Sequence, residues 1–296
     1  MNPNPVLKKL GYSDDDKLVI IHTDDIGMCQ ASLDAFANLW DFGTISSAAV
    51  MVPCPWFPAT AEWCRKNPEV DMGIHATLTA EWDSYRWGPI STVERASGLF
   101  DDEGYFHHLE PPVQAGATLE AVRAEVQAQF DKAVQFGIFP THIDAHMLTL
   151  LHPRLISAYI ETATRAKVPF MLPRIDSEAE MGMGSDAQPA YEFGTLVQQL
   201  EEQGIPLVDR FDWMPLDDPD DQINLAKKKL RELPAGITHF VFHPSTDTPE
   251  LRAICPDWPS RVANYEAFMS KELKDFIKNE GVQVIGYKVL RDLMRG

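Results

Sequence analysis

The stretch LVIIHTDDIGMCQ, residues 18–30, sets the reading of the whole chain. An apolar, β-branched run, Leu18–Ile21, leads through His22 and Thr23 into two adjacent aspartates, Asp24 and Asp25, and then Gly27. Such a run, closed by turn residues, reads as a short buried strand. Directly behind it, Leu33, Phe36, Ala37 and Trp40 stand at helical spacing, so a helix is expected over residues 30–42. Together they make one strand–turn–helix unit. Two like charges at the end of a buried strand repel each other. Burying either costs free energy unless donors, a proton or a cation compensates. The pair is therefore either a solvated turn or helix cap, or a place where something positive is held.

The same alternation runs down the chain. Further strands are expected at 45–52, 72–78, in THIDAH after Pro140, at 168–172, 238–243 and 282–287. Helices are expected at 59–66, 119–136, 153–166, 220–231 and 262–279, with a short helix at the tail. Apolar strands alternating with helices predict an α/β fold with a parallel sheet buried on both faces. At 296 residues a distorted, TIM-like (β/α) barrel fits better than an open doubly wound sheet, and no G-x-G-x-x-G or Walker pattern supports the latter. Two long interruptions, 80–118 and 173–188, hold no clear strand and are expected as loops over the C-terminal rim. Residues 1–296 read as a single domain without repeats or low-complexity tracts.

Composition narrows the partners. Acidic residues outnumber basic ones 44 to 26, for a formal net charge of −18, which repels phosphate backbones and anionic lipid. The densest cationic run, Lys227-Lys228-Lys229, falls on an amphipathic helix and reads as a solvated face. No nucleic-acid or membrane role is expected. Cys29, Cys54, Cys64 and Cys255 form no C-x-x-C pair and read as reduced thiols. The N-terminal stretch lacks the apolar core of a signal peptide, so a cytoplasmic location is expected.

The polar residues fall where a barrel would use them. Asp24 and Asp25 end the first strand, His75 lies in GIHATLT, and His243 ends THFVFHPS. In THIDAH, strand alternation points His142, Asp144 and His146 to one face. Sites of β/α barrels form at the C-terminal ends of strands. A carboxylate with two imidazoles suits one divalent cation with open positions, and ligand softness favours Zn²⁺, Co²⁺, Ni²⁺ or Fe²⁺ over Mg²⁺. A lone histidine is more often structural, and His22, His107, His108, His152 and His239 are read so, although alternation puts His22 on the face of Asp24. Trp82, Tyr85 and Trp87 form either a sugar-stacking wall or a small loop core.

TDDIG, GIHATLT, THIDAH and FHPS, in this order, resemble the motifs of the YdjC/ChbG-like carbohydrate deacetylases of the glycoside hydrolase/deacetylase superfamily. ISSAAVMV and RVANYEAF resemble further segments of that family, so the likeness runs from about Leu18 to Leu290. It implies a divalent metal ion, Zn²⁺ or Mg²⁺, on Asp25, His75 and His146. Asp24 is implied as general base, by likeness to NodB-type deacetylases, and His243 as the acid that protonates the leaving amine. His142 and Asp144 are implied to orient these groups or to touch substrate. The implied reaction is hydrolysis of the acetyl group of an N-acetylated amino sugar or short oligosaccharide. Thr23, Ile26, Ala145 and Ser245 depart from the family pattern beside the expected pocket, as does MLTLLHP after His146. Two other readings stand beside it: a metal-dependent sugar isomerase or epimerase, and a non-catalytic sugar-binding protein. Pairing through outer helices into a homodimer is also expected.

Overall fold

The computed structural model describes residues 3–174 and 187–296. β1 spans Lys17–Ile26 and is buried from Leu18 onward. Around it lie β2 (Ser47–Val50), β3 (Met72–Ala76), β4 (Ile143–Ala145), β5 (Arg210–Trp213), β6 (Gly236–Phe242) and β7 (Gln283–Val284). All pairings are parallel, in the order β4-β3-β2-β1-β6-β5. β7 pairs with β1 at Leu18 and Val19, below the stretch that pairs with β2.

Period-two alternation on β1 divides the protein into an inside and an outside. Val19 and Ile21 belong to the large core packed under the helices. Leu18 and Ile20 point the other way, into a small apolar floor with Val6, Leu7, Ile237, Tyr287 and Leu290. His22 and Asp24 continue that inner row upward. The inside is thus apolar at the N-terminal end of the strands and polar at the C-terminal end.

The sheet curls into a half-barrel, compatible with the distorted (β/α) barrel expected from the sequence but not with a full one. Between its end strands, β4 and β5, the described residues form isolated bridges, Ile143 to Phe170 and Pro173 to Val208. The strand expected at 168–172 does not form a ladder, because Pro169 and Pro173 have no amide hydrogen to donate. β5 is not expected from the sequence, since the polar–apolar alternation of RFDW runs over only four residues at a half-exposed edge. The helix expected at 262–279 is two, Trp258–Phe268 and Lys271–Asn279, separated where Ser270 caps the second by accepting from Leu273 N at 3.1 Å. The strand expected at 282–287 is only β7, and a helix starts at Tyr287.

The interruption at 80–118 lies over the site end of the sheet, with a 3-10 turn at Arg95–Ser97 and a short α-helix at Glu110–Gly116. Buried Glu125 holds this loop down by accepting from the Ile90 and Ser91 amides, at 3.1 and 2.9 Å. Most of the second expected loop, 175–186, lies outside the described residues. No described helix is long and apolar enough to cross a membrane. The four cysteines are buried and unpaired, as expected of thiols.

Gly73 on β3 shows how tightly the inside is filled. A Cβ there would stand 2.4 Å from the His142 ring, itself stacked on Tyr287 at 3.9 Å. The buried ring has nowhere to move, so Gly73→Ala should lower stability by about 1–3 kcal/mol in urea unfolding. An unchanged midpoint would show that the interior can yield.

Candidate active site

The site begins with an irregularity in β1. Thr23 pairs with Ala48 and Ile26 with Val50, so β1 carries one residue more than β2 across this interval. Asp25 sits at the bulge with a left-handed φ of 61°. In a regular strand Asp24 and Asp25 would face opposite sides of the sheet. The bulge re-aims them, and both carboxylates reach His75: Asp24 Oδ1 is 3.6 Å from Nδ1, and Asp25 Oδ1 is 3.4 Å from Nε2. Gly27 follows at φ 84°, in a space where a Cβ would press on Thr60 Oγ1 at 3.0 Å.

Asp25, His75 and His146 converge. Asp25 Oδ1 lies 3.2 Å from His146 Nδ1, and His146 Nδ1 lies 3.1 Å from His75 Nε2. These three buried atoms form one of the groups able to hold a metal ion. A cation with nitrogen and oxygen ligands at about 2.0–2.2 Å has ligand-to-ligand edges of roughly 3.0–3.5 Å, so the spacing fits. Asp25 Oδ1 is also a buried acceptor without a hydrogen-bond partner among the described residues. A carboxylate and two imidazole nitrogens, facing one point, fit a divalent cation.

The second oxygen of Asp25 has its own partner. Arg261, on the helix Trp258–Phe268, donates from Nη1 to Oδ2 at 2.7 Å and from Nε to Asp257 Oδ2 at 3.0 Å. Burial by itself would raise the Asp25 carboxyl. Arg261, with His146 and His75, outweighs it and holds the group well below the usual carboxylate range.

Each imidazole of the trio leans on a carboxylate through its other nitrogen. His75 Nδ1 is 2.6 Å from Asp144 Oδ1, and His146 Nε2 is 3.0 Å from Glu81 Oε2. Asp144 Oδ2 lies 2.9 Å from His22 Nε2, which is also 2.9 Å from Asp24 Oδ1. Burial pushes His22 down, but Asp144 and Asp24 outweigh it and raise it to about 9. His22, read from sequence as structural, therefore joins the network. His146 leaves β4 through Met147 and Leu148, both at left-handed φ, a costly turn for side-chain-bearing residues.

His142 does not reach the cleft. It is fully buried between Tyr287 and Thr141, with Nε2 3.6 Å from Asp144 Oδ2. His239 lies deeper, stacked on Phe211 and 2.8 Å from the Tyr287 hydroxyl. His243 stands at the mouth, 20% exposed, with Nε2 3.9 Å from Asp24 Oδ2. Burial lowers it, Arg261 adding to the effect and Asp25 opposing it.

Trp82, Tyr85 and Trp87 pack against one another within the loop. Trp82 and Trp87 are 7% and 3% exposed and meet edge to face at 5.6 Å. Arg261 lies over Trp82, and the Trp87 indole donates to Thr79 O at 2.8 Å. Half-buried Tyr85 donates its hydroxyl to Met28 O at 2.6 Å. Glu81 carried no sequence signal, being a lone acid in an aperiodic loop. Arg261 had only the likeness of its segment. Strand alternation was the available sign for His22.

A family model described as YdjC-like protein matches residues 18–279. A carbohydrate deacetylase of Thermus thermophilus is 29% identical over 269 residues, 91% of this chain and 92% of that protein. One from Thermoanaerobacter pseudethanolicus is 25% identical over 93% of this chain and its own full length. A chitooligosaccharide deacetylase of Yersinia enterocolitica is 27% identical over 169 residues, 56% of this chain and 63% of its own. Among solved structures, a protein of Enterococcus faecalis V583, provisionally described as a cellobiose-phosphate cleavage protein, shares the fold. It has a TM-score of 0.77 at 21% identity, over 93% of this chain and 99% of its own.

His22 and His146 are both raised to about 9, and His75 is raised as well. A histidine raised on folding stabilises fully below its unfolded value near 6.5, and that stability is lost as pH rises through the folded value. Chelator-treated protein should therefore unfold at lower urea at pH 9 than at pH 7. His22→Gln should narrow the gap. Equal midpoints for the unsubstituted chain at the two pH values would refute the charge assignment.

Proposed function

Because the chain belongs to the YdjC-like protein family, we propose that it is a metal-dependent carbohydrate deacetylase. Its substrate in this reading is an N-acetylated amino sugar or a short, chito-oligosaccharide-like oligomer. The observation that carries it is the convergence of Asp25 Oδ1, His75 Nε2 and His146 Nδ1 within 3.1–3.4 Å, with Asp24 and His243 at its open side. The family names of relatives matched over nine-tenths of the chain support the same reaction.

In this reading Asp25, His75 and His146 hold one divalent cation, which supplies Lewis acidity to an acetyl carbonyl and to water. Asp24 is the general base. Its Oδ1 is oriented by His22, leaving Oδ2 toward the mouth to take the proton of an attacking water. His243, 3.9 Å from that oxygen, takes up the proton that Asp24 has accepted and passes it to the departing nitrogen, which leaves both groups as they began. The burial that lowers His243 makes its protonated form a ready donor, while the neutral ring is the resting form. Asp144 holds His75 by Nδ1, which keeps Nε2 turned to Asp25. Trp82, Tyr85 and Trp87 wall the cleft by packing.

Acetate release should be measured across a panel of chito-oligosaccharides and other acetylated glycans, with metal content determined on the same sample. Asp25→Ala and His146→Ala should lose the metal. Asp24→Asn should keep it and slow turnover by about 10²–10⁴-fold. Near-normal turnover of Asp24→Asn would remove Asp24 as base, and full activity after exhaustive chelation would overturn the metal-dependent mechanism.

A further inference from the structure

We propose that Glu81 is a positioning residue for His146 and that it ties the first long loop to the metal centre. The inference rests on the metal reading of Asp25, His75 and His146. The two histidines of that trio are held in the same way, but by residues of different origin. His75 presents Nε2 to Asp25 and gives Nδ1 to Asp144, a neighbour on the sheet. His146 presents Nδ1 to Asp25 and gives Nε2 to Glu81, which comes from the loop.

A neutral imidazole has one N–H and one lone pair. A carboxylate on the far nitrogen fixes the proton there, frees the near lone pair for a cation and sets the ring plane. Glu81 cannot itself be a fourth ligand of the same ion, because the His146 ring stands between its carboxylate and Asp25. It acts through His146.

Glu81 is placed by its neighbours. The Ala80 amide donates to His107 O at 2.9 Å, and Trp82 packs beneath Arg261. Trp87, anchored on Thr79 O, brings its ring to 6.4 Å from His146. Tyr85 pins the loop to Met28, three residues beyond Asp25. The loop that covers the cleft and the imidazole that faces the ion thus share one hydrogen bond. A change at Glu81 should be felt in metal affinity before it is felt in folding.

The test uses the full chain stripped of metal, with Zn²⁺, Co²⁺ and Mg²⁺ each added alone and affinity measured by chelator competition or calorimetry. Glu81→Ala should lose about tenfold to a hundredfold in affinity for the ion that the unsubstituted chain takes up. Glu81→Gln keeps an acceptor oxygen for the Nε2 proton and should lose less than Glu81→Ala. The thermal midpoint of both metal-free variants should stay close to that of the parent. Affinity within twofold of the parent in Glu81→Ala would overturn the proposal while leaving the metal centre standing, whatever happens to the midpoint. Equal losses in both variants would also overturn it, since the acceptor would then be irrelevant. A parent chain that takes up none of the three ions would overturn the metal reading and this inference together.

Discussion

A carboxylate without water around it needs positive charge or hydrogen donors close by, and Asp25 is the residue whose needs organise this molecule. One of its oxygens takes the Arg261 guanidinium and the other faces two imidazole nitrogens. Removing one partner of a buried ion pair leaves an uncompensated charge that costs about 3–5 kcal/mol. Arg261 is itself committed, to Asp257 on one side and Trp82 beneath it. Through this one contact, β1, a helix near the C-terminus and the loop over the cleft are held in a single arrangement.

The bulge in β1 makes that contact available to two neighbouring residues. Without the extra residue between Thr23 and Ile26, one aspartate would point into the outer core and the other into the cleft. With it, Asp25 faces His75 and His146 while Asp24 turns between His22 and His243. The adjacent charges are separated in role by their different partners. His75 and His146 are both pushed up despite their burial, His75 chiefly by Asp24 and Asp144 and His146 chiefly by Glu81 together with Asp25.

Below the charged layer, the inside of the sheet is filled without slack. Tyr287 stacks on His142 and bonds to His239, and Gly73 leaves room for the His142 ring. Asp71 receives the hydroxyls of Thr141 and Ser47 and the Lys288 amide, joining β2, the entry to β4 and the last helix. Rigid groups beneath rigid groups fix the upper imidazoles in position, which suits a site that must hold its geometry before substrate arrives.

Hydrophobic alternation made the parallel α/β fold legible, because strands buried on both faces and amphipathic helices leave periodic marks in a sequence. The same alternation put His142, Asp144 and His146 on one face and gave the sign that His22 belongs beside Asp24. The trio was implied by the likeness of short local motifs to those of the family, each motif holding one of its members. Other features leave no such mark. The edge strand Arg210–Trp213 alternates over only four residues, too few to stand out, and the bridging segment at Phe170 is governed by prolines whose effect depends on what lies across from them. Depth inside the sheet was invisible too, so the burial of His142 and of the two tryptophans shows only in the packing. The chain by itself determined the order of its elements and the residue types at the ends of its strands. Tertiary structure decided which atoms meet. A bulge is defined only against its partner strand, and Arg261 and Glu81 find Asp25 and His146 only when distant segments close over one end of the sheet.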